Sequence, residues 1–443
     1  MATPTKPNPA ATAGQPSPAG KIFSSTNLVL LMVCLMYGLT YIDRINVATA
    51  GPVFQKELHL SANQLGSVLA AFGWAYLVLQ VWGGWLSDRF GARLTLTVCA
   101  VVWAGSTMLM GTAHSLTGLI LCRVLLGLGE GATFPTATRA LSDWMPASKR
   151  GFAQGITHAF SRLGNSITPA LVAWIIAVAS WRMSFYVLGG VSLLWAIVWW
   201  FYFRDNPATH RGITQQELAV LPDYGSKRDR KKDPVPWWPL IKRMAPVTLV
   251  YFCYGWTLWL YLTFLPSFFL HGYKLNLKNS ALFSSGVFLA GVAGDAVGGI
   301  VSDYILKRTG DRNKARRDLI VGGFLLSLVF MVPILLSHNL TLVALCLSAA
   351  FFFAESTIGP FWAIPMDIAP RFSGSASGLM NIGSALAAAL SPQVAFYVTQ
   401  NNKWNLPFVG CIGLSLLGAI VAYWMKPNEP LGGTELGAVP SQA

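Results

Sequence analysis

Asp43 and Arg44 are adjacent in the first long apolar segment of this chain, within TYIDRINVATA, and Glu130 lies in another, within RVLLGLGEGATFP. An ionised group at membrane depth is costly unless it pairs or lines a wet cavity, so such residues carry a task. An arginine can grip a carboxylate through two parallel charge-assisted hydrogen bonds. A carboxyl removed from water can exchange protons near neutral pH. Together these groups suit proton-driven uptake of an organic anion, with Arg44 for the anion and Asp43 and Glu130 for the protons.

Helical spacing sorts the neighbours of these residues. Tyr37, Tyr41 and Arg44 recur at four and three residues and share one face. Asp43 is turned about 100° from Arg44, and is expected to point toward the fourth apolar segment, where Arg123 and Glu130 lie on one stripe. The alternative is a purely structural ion network of Asp43, Arg123 and Glu130. In the fifth segment Thr157, Ser161, Asn165 and Thr168 form a polar stripe, expected to face a cavity, with His158 and Arg162 at its edge. Arg162 holds either a second anionic group, as in a dicarboxylate, or a neighbouring carboxyl such as Asp43. His158 reads as a hydrogen-bonding wall residue rather than a proton carrier.

The second half offers Glu355, Gly359 and Trp362 on one face, Ser377, Asn381 and Ser384 on another, and Tyr251, Tyr254 and Tyr261 in a third segment with Trp259 nearby. Such groups suit a hydroxylated or flat anion, although Tyr and Trp also build interfacial belts. Pro360 and Pro365 flank Trp362 and are expected to break or kink its helix. Asp295 and Glu355 are either further coupling acids or protonated partners in interhelical hydrogen bonds.

The elements that hold these residues follow from composition. The 443 residues are 53% hydrophobic and 11% charged, against about 25% charged in a soluble domain, which excludes a soluble enzyme. Apolar stretches of about 20 residues fall near 27–50, 62–85, 93–112, 116–140, 151–178, 182–203, 245–269, 279–305, 317–336, 340–366, 373–398 and 404–425. The expectation is an all-α membrane protein of twelve transmembrane helices in two pseudo-symmetric six-helix bundles. Residues 1–26 would be a disordered tail with no cleaved signal, 27–203 and 245–425 the bundles, 204–244 a linker and 426–443 a second tail.

Lys and Arg exceed Asp and Glu by a formal +14, but they gather in alternate loops. Arg204, Arg211, Lys227, Arg228, Arg230, Lys231, Lys232, Lys242 and Arg243 mark the linker; Lys307, Arg308, Arg312, Lys314, Arg316 and Arg317 mark a later loop. The opposite loops carry little beyond Lys56, Lys274, Lys278 and Lys403. The positive-inside rule then puts both termini in the cytoplasm of a multi-pass inner (plasma) membrane protein, and disfavours nucleic acid as a partner. The six cysteines are scattered singly, without metal-ligand or disulfide spacing. HExxH, GxSxG and P-loop motifs are missing, which argues against a membrane-embedded enzyme, and the short tails offer no output domain for a sensor. A monomer, a small anionic substrate and the bilayer are the expected partners. No cofactor or metal is implied. The coupling ion is expected to be H⁺ rather than Na⁺, since a sodium site needs several converging oxygens that the sequence does not define.

The halves echo each other: GGWLSDRFGAR follows the second span and GGIVSDYILKR the eighth, with Gly84/Asp88 and Gly299/Asp303 at the same spacing. A parallel repeat with its site between the halves is typical of transporters. The loop Gly84–Arg93 resembles the G-x-x-x-D-R-x-G-x-R signature of the major facilitator superfamily, with Asp88, Arg89, Gly91 and Arg93 in place. YIDRINVA, AFGWAYLVLQVWGGWLSDRFGAR and RVLLGLGEGATFP followed by WMP resemble its anion:cation symporter family, from about Asn27 to Lys426. The resemblance implies that Arg44 binds substrate carboxylate, that Asp43 and Glu130 carry protons, and that Tyr41 and Tyr76 line the cavity of the amino-terminal half. It implies that Trp362 and Asn381 close the cavity from the other half, for a sugar acid such as a hexuronate, aldonate or aldarate. Tyr251 stands where galactonate transporters carry glutamine, and Arg162, Asp295 and Glu355 have no assigned counterpart. An aromatic or dicarboxylic acid is the alternative cargo. Asp88, Arg89, Arg93 and Asp303 are expected to form conformational latches, each acid meeting arginines or helix N-termini of its neighbours; Arg139 and Arg371 are either those partners or positive-inside anchors.

Overall fold

The computed structural model describes residues 24–221, 234–275, 277–399 and 404–431. The expected tails up to residue 23 and from residue 432, the basic stretch 222–233 and Lys403 lie outside the described residues. Twelve long helices follow one another: α1 (Ser25–Glu57), α2 (Ala62–Phe90), α3 (Ala92–Gly111), α4 (Leu116–Trp144), α5 (Arg150–Val178) and α6 (Trp181–Tyr202), then α7 (Trp237–Ser267), α8 (Leu277–Thr309), α9 (Leu319–Leu336), α10 (Leu340–Ile368), α11 (Ser373–Thr399) and α12 (Leu406–Val421). Among the described residues, 10 helices are long and apolar enough to cross a membrane, and α2, bent by 48° between Gln80 and Trp82, makes an eleventh. The twelfth, α11, opens on the polar run SGSAS and packs between α2 and α7.

Helix starts follow local chemistry. Ser24, Ser61, Ser115, Ser180 and Asn339 each accept a first-turn amide, and Ser61 with Gln64 closes a capping box. α7 begins at Trp237, inside the expected linker, because WWPLIKRM continues the helix beyond the apolar stretch. A short helix, Gln215–Val220, also lies in that connection. The flanks carry exposed apolar side chains, such as Leu325, Leu326, Val329, Val332 and Leu336 on α9, as a lipid-facing surface requires.

α4 and α10 are interrupted at corresponding places. The first half of α4 ends at Gly131, just past Glu130, and the second begins at Thr133; the first half of α10 ends on Glu355 and the second begins at Ile358. Each break precedes a proline, Pro135 or Pro360, by about three residues. A proline supplies no amide to the preceding turn and crowds its carbonyl, which accounts for both interruptions. Pro365, expected to break or kink the span as well, stays inside the second half of α10.

Candidate binding site

Arg44 reaches the centre of the bundle from α1. Its guanidinium carbon lies 4.8 Å from the ring centroid of Tyr41, 4.8 Å from Tyr76, 5.1 Å from Phe72 and 5.2 Å from Phe134. Inside this cage its Nε pairs with Glu130 Oε2 in a short charge-assisted contact. Glycines on α4 permit the pairing. A Cβ at Gly127 would come within 2.5 Å of the Phe72 carbonyl, and one at Gly131 within 2.8 Å of Leu79 Cβ, so α4 rides close on α2 and carries Glu130 inward. Arg44 Nη2 and Glu130 Oε1 are buried without a hydrogen-bond partner, so both partners keep capacity to bind something else.

Asp43 departs from expectation. Its Oδ2 accepts a 2.8 Å bond from Ser192 Oγ of α6, and Oδ1 is unpartnered. It faces the sixth helix rather than the fourth. Arg123 also leaves the expected acid network: its Nε and Nη2 donate to the Val68 and Leu69 carbonyls at 3.3 and 3.4 Å, and its guanidinium covers Phe72, tying α4 to α2. Within the polar stripe of α5, Thr157, Ser161 and Thr168 are buried and Asn165 is half-buried, and α5 crosses close to α1 here. Thr157 and Thr168 donate to carbonyls of their own helix, and a Cβ at Gly164 would lie 2.7 Å from the Gly38 carbonyl.

A second charged cluster joins the halves. Arg162 of α5 donates from Nη2 to Glu355 Oε2 of α10 at 3.1 Å, and its Nε lies 3.9 Å from Asp295 Oδ2 of α8. Tyr254 of α7 donates to the same Glu355 oxygen at 2.9 Å. The neighbouring carboxyls of Arg162 are thus Glu355 and Asp295, and not Asp43. Arg162 also lies over Tyr41, 5.9 Å from its centroid, so the two central guanidiniums share one ring. Trp362 donates to Tyr251 Oη at 2.8 Å and sits against His158 and Phe134 of the other half. His158 Nδ1 lies 2.9 Å from the Gln154 carbonyl. Asn381 donates to Gln80 Oε1 at 2.7 Å and to Tyr76 Oη at 3.3 Å.

Tyr254 was expected among the groups of the seventh span, whereas Gln80, Ser192, Phe72 and Phe134 were not singled out from the sequence. Gln80 carried a usable signal: it precedes Asp88 by the same interval that separates Asp295 from Asp303.

One end of the bundle is fastened twice. Asp88, at the end of α2, accepts the Gly374 and Ser375 amides and the Ser375 hydroxyl at the start of α11, at 3.1, 2.7 and 2.7 Å. Asp303, at the end of α8, accepts the Gly151 and Phe152 amides at the start of α5, at 3.0 and 2.7 Å. A carboxylate at a helix N-terminus meets both free amides and the positive dipole end. Arg139 lies 3.9 Å from Asp88, and donates to the Pro370 and Arg371 carbonyls. Arg316 pairs with Asp303 at 3.1 Å. Arg316 and Arg150 also hold Asp367, the latter across the halves. Arg89 and Arg93 make their contacts inside the amino-terminal half: Arg89 covers Trp85 and Phe90, and Arg93 donates to the Trp200 carbonyl. They brace α2, α3 and α6 rather than span the two latches.

Two grooves lie away from this centre. One of about 610 Å³ is bounded by Tyr273, Lys274, His338 and Trp404; another of about 430 Å³ runs between α7 and α11 along Met244, Thr248 and Gly383. Neither includes Arg44 or Arg162.

Comparison with known proteins agrees with this architecture. Residues 33–392 and 308–441 match the Major Facilitator Superfamily. The probable sulfoacetate transporter SauU of Cupriavidus necator is 43% identical over 90% of this chain and 94% of its own length. The D-galactonate transporter of Escherichia coli is 28% identical, over 89% and 94%, and the probable galactarate/D-glucarate transporter GarP of Escherichia coli is 30% identical, over 89% and 93%. Among solved structures, the transporter FucP in its outward conformation superposes with a TM-score of 0.68 at 13% identity, covering 91% of this chain and 99% of that one. The proton:xylose symporter XylE gives 0.71 at 15% identity, covering 90% and 95%. The chain belongs to the Major Facilitator Superfamily. It is a multi-pass membrane transporter, not an enzyme.

Proposed function

We propose that this chain imports a small organic anion with protons by alternating access, across the inner membrane with both termini in the cytoplasm. The observation that carries the reading is the Arg44–Glu130 pair, buried in an aromatic cage with an unpartnered nitrogen and an unpartnered oxygen. When the site faces outward, protonation of Glu130 and Asp43 releases Arg44 to an anionic group of the substrate. Trp362 and Asn381 close over it from the carboxyl-terminal half as the halves rock. Proton loss to the cytoplasm restores Glu130 as the competitor for Arg44 and expels the anion. With the Asp88 and Asp303 latches on the cytoplasmic side, the present arrangement is closed to the cytoplasm.

The two guanidiniums sharing the Tyr41 ring favour a dianion, one acidic group on each arginine. The relatives named for sulfoacetate and for galactarate/D-glucarate, both dianions, support that choice. A hydroxylated monoanion such as galactonate is the second reading, supported by the amide and hydroxyl groups of Asn381, Gln80 and Tyr76. Uptake into proteoliposomes under an imposed pH gradient, with sulfoacetate, galactarate and galactonate in parallel, tests all of this. Uptake indifferent to the gradient rejects proton coupling, and preference for galactonate rejects the dianion.

A further inference from the structure

The Arg162 cluster holds more acid than its arginine can neutralise. Asp295 and Glu355 are both fully buried, and both lie against the single guanidinium of Arg162. Tyr254 of α7 donates to Glu355 and Arg162 lies over Tyr41 of α1; Tyr251 stacks on Tyr254, and the titratable ring of His158 from α5 lies beyond, against Trp362. Two carboxylates and one guanidinium leave a net negative charge in an interior with no water contact. Like charges in so small a site are not both ionised. Both oxygens of Asp295 and Oε1 of Glu355 lack a hydrogen-bond partner, as do Nε and Nη1 of Arg162.

Pseudo-symmetry argues that this acidity is not needed for packing. Asp295 stands about two helical turns before the latch residue Asp303, just as Gln80 stands before Asp88. At the corresponding interface of the other pair of helices, Gln80 meets Asn381, and an uncharged amide pair does the holding. Glu355 in turn matches Glu130, each ending the first half of an interrupted helix beside an arginine. The molecule therefore carries two carboxylate–guanidinium stations around Tyr41, and the second has one acid too many.

We propose that Asp295 and Glu355 share a proton over Arg162 and form a second proton-binding site, in the carboxyl-terminal half of the chain. Taking up a further proton frees Arg162, and losing one returns it to Glu355, so this site couples movement of the halves to protons independently of Asp43 and Glu130. Its part in transport rests on the proton-coupled reading above; the presence of the shared proton does not.

Infrared spectroscopy of the purified full-length protein, with no substrate added, reads the proton directly. Near neutral pH the native protein is expected to show a carboxylic-acid C=O band that is lost in Asp295→Asn and in Glu355→Gln, because the remaining acid ionises against Arg162. Isotopic labelling serves if those variants do not fold. Glu130 and Glu355 are the buried glutamates among the described residues, so in Glu130→Gln a band that shifts with ¹³C-glutamate belongs to Glu355. An acid band that responds to neither substitution nor label overturns the site. In vesicles loaded with sulfoacetate, the double variant Asp295→Asn/Glu355→Gln should keep counterflow exchange and carry one proton fewer per turnover than the native protein, because either acid alone can still cycle one proton against Arg162. An unchanged proton count makes the cluster a structural tie and overturns its coupling role. Failure of the native protein to move sulfoacetate bears on the cargo and leaves the infrared result standing.

Discussion

Asp88 and Asp303 occupy matching positions in the two halves, and each binds two first-turn amides of a helix belonging to the opposite half. The same end of the molecule is thereby fastened twice by one device. The contact is backbone-close: a Cβ on Gly84 would come within 2.2 Å of the Gly374 carbonyl, and one on Gly299 within 2.5 Å of the Gly151 carbonyl. Asp88→Asn should weaken the fastening by about 1–2 kcal/mol, the usual worth of a helix cap. Amide exchange at Gly374 and Ser375 should then quicken on the order of tenfold. Gly84→Ala should do the same by wedging the helices apart. Unchanged exchange in both variants would show that the latch does not hold this end closed.

Arg44→Ala leaves Glu130 buried without its arginine, a loss of about 3–5 kcal/mol for a broken buried pair. Thermal unfolding should fall accordingly, and anion binding should vanish. Adding Glu130→Gln should recover most of the melting temperature while binding stays absent. Recovery of binding in the double variant would remove Arg44 from the substrate site.

Asp43→Asn and Glu130→Gln bear on coupling. Each should preserve counterflow exchange and abolish accumulation driven by a pH gradient. Equal loss of both activities would make these acids structural.

Glu57 closes the far end of α1 onto the start of α6, beyond the apolar span. Hydrogen bonds from Trp181 Nε1, at 2.6 Å, and from Arg182 hold its carboxyl below the usual range. A lowered folded value means the clamp is fully present above the unfolded value and lost as pH falls through the folded one. Emission from the buried Trp181 should therefore change on acidification below the ordinary glutamate range, and Glu57→Gln should abolish that step. A step that persists in Glu57→Gln would assign it to another group.

Twelve spans, the repeat and the pairing of latch acids with helix N-termini were legible in the sequence, because apolar length and the Gly-to-Asp spacing are local signals. Partner choice was not. The helical wheel correctly turned Asp43 away from Arg44, but an angle on one helix does not say which neighbour fills it. Packing order does: α1 lies against α5 and α6, so Asp43 meets Ser192, and the longer arginine reaches α4 and takes Glu130. Arg162 was likewise ambiguous, since its carboxyls arrive from α8 and α10, far away in the chain. Gln80 escaped notice because an amide in an apolar helix carries no charge to advertise it.

The interruptions in α4 and α10 have a mechanical consequence. Each lies immediately after a buried glutamate, where the backbone carbonyls of a helix end are left without their regular partners. Charging or neutralising Glu130 or Glu355 would therefore alter the electrostatics at the interruption of its own span. On the coupling proposed above, a proton would act at the interruption of its own span rather than at a distance.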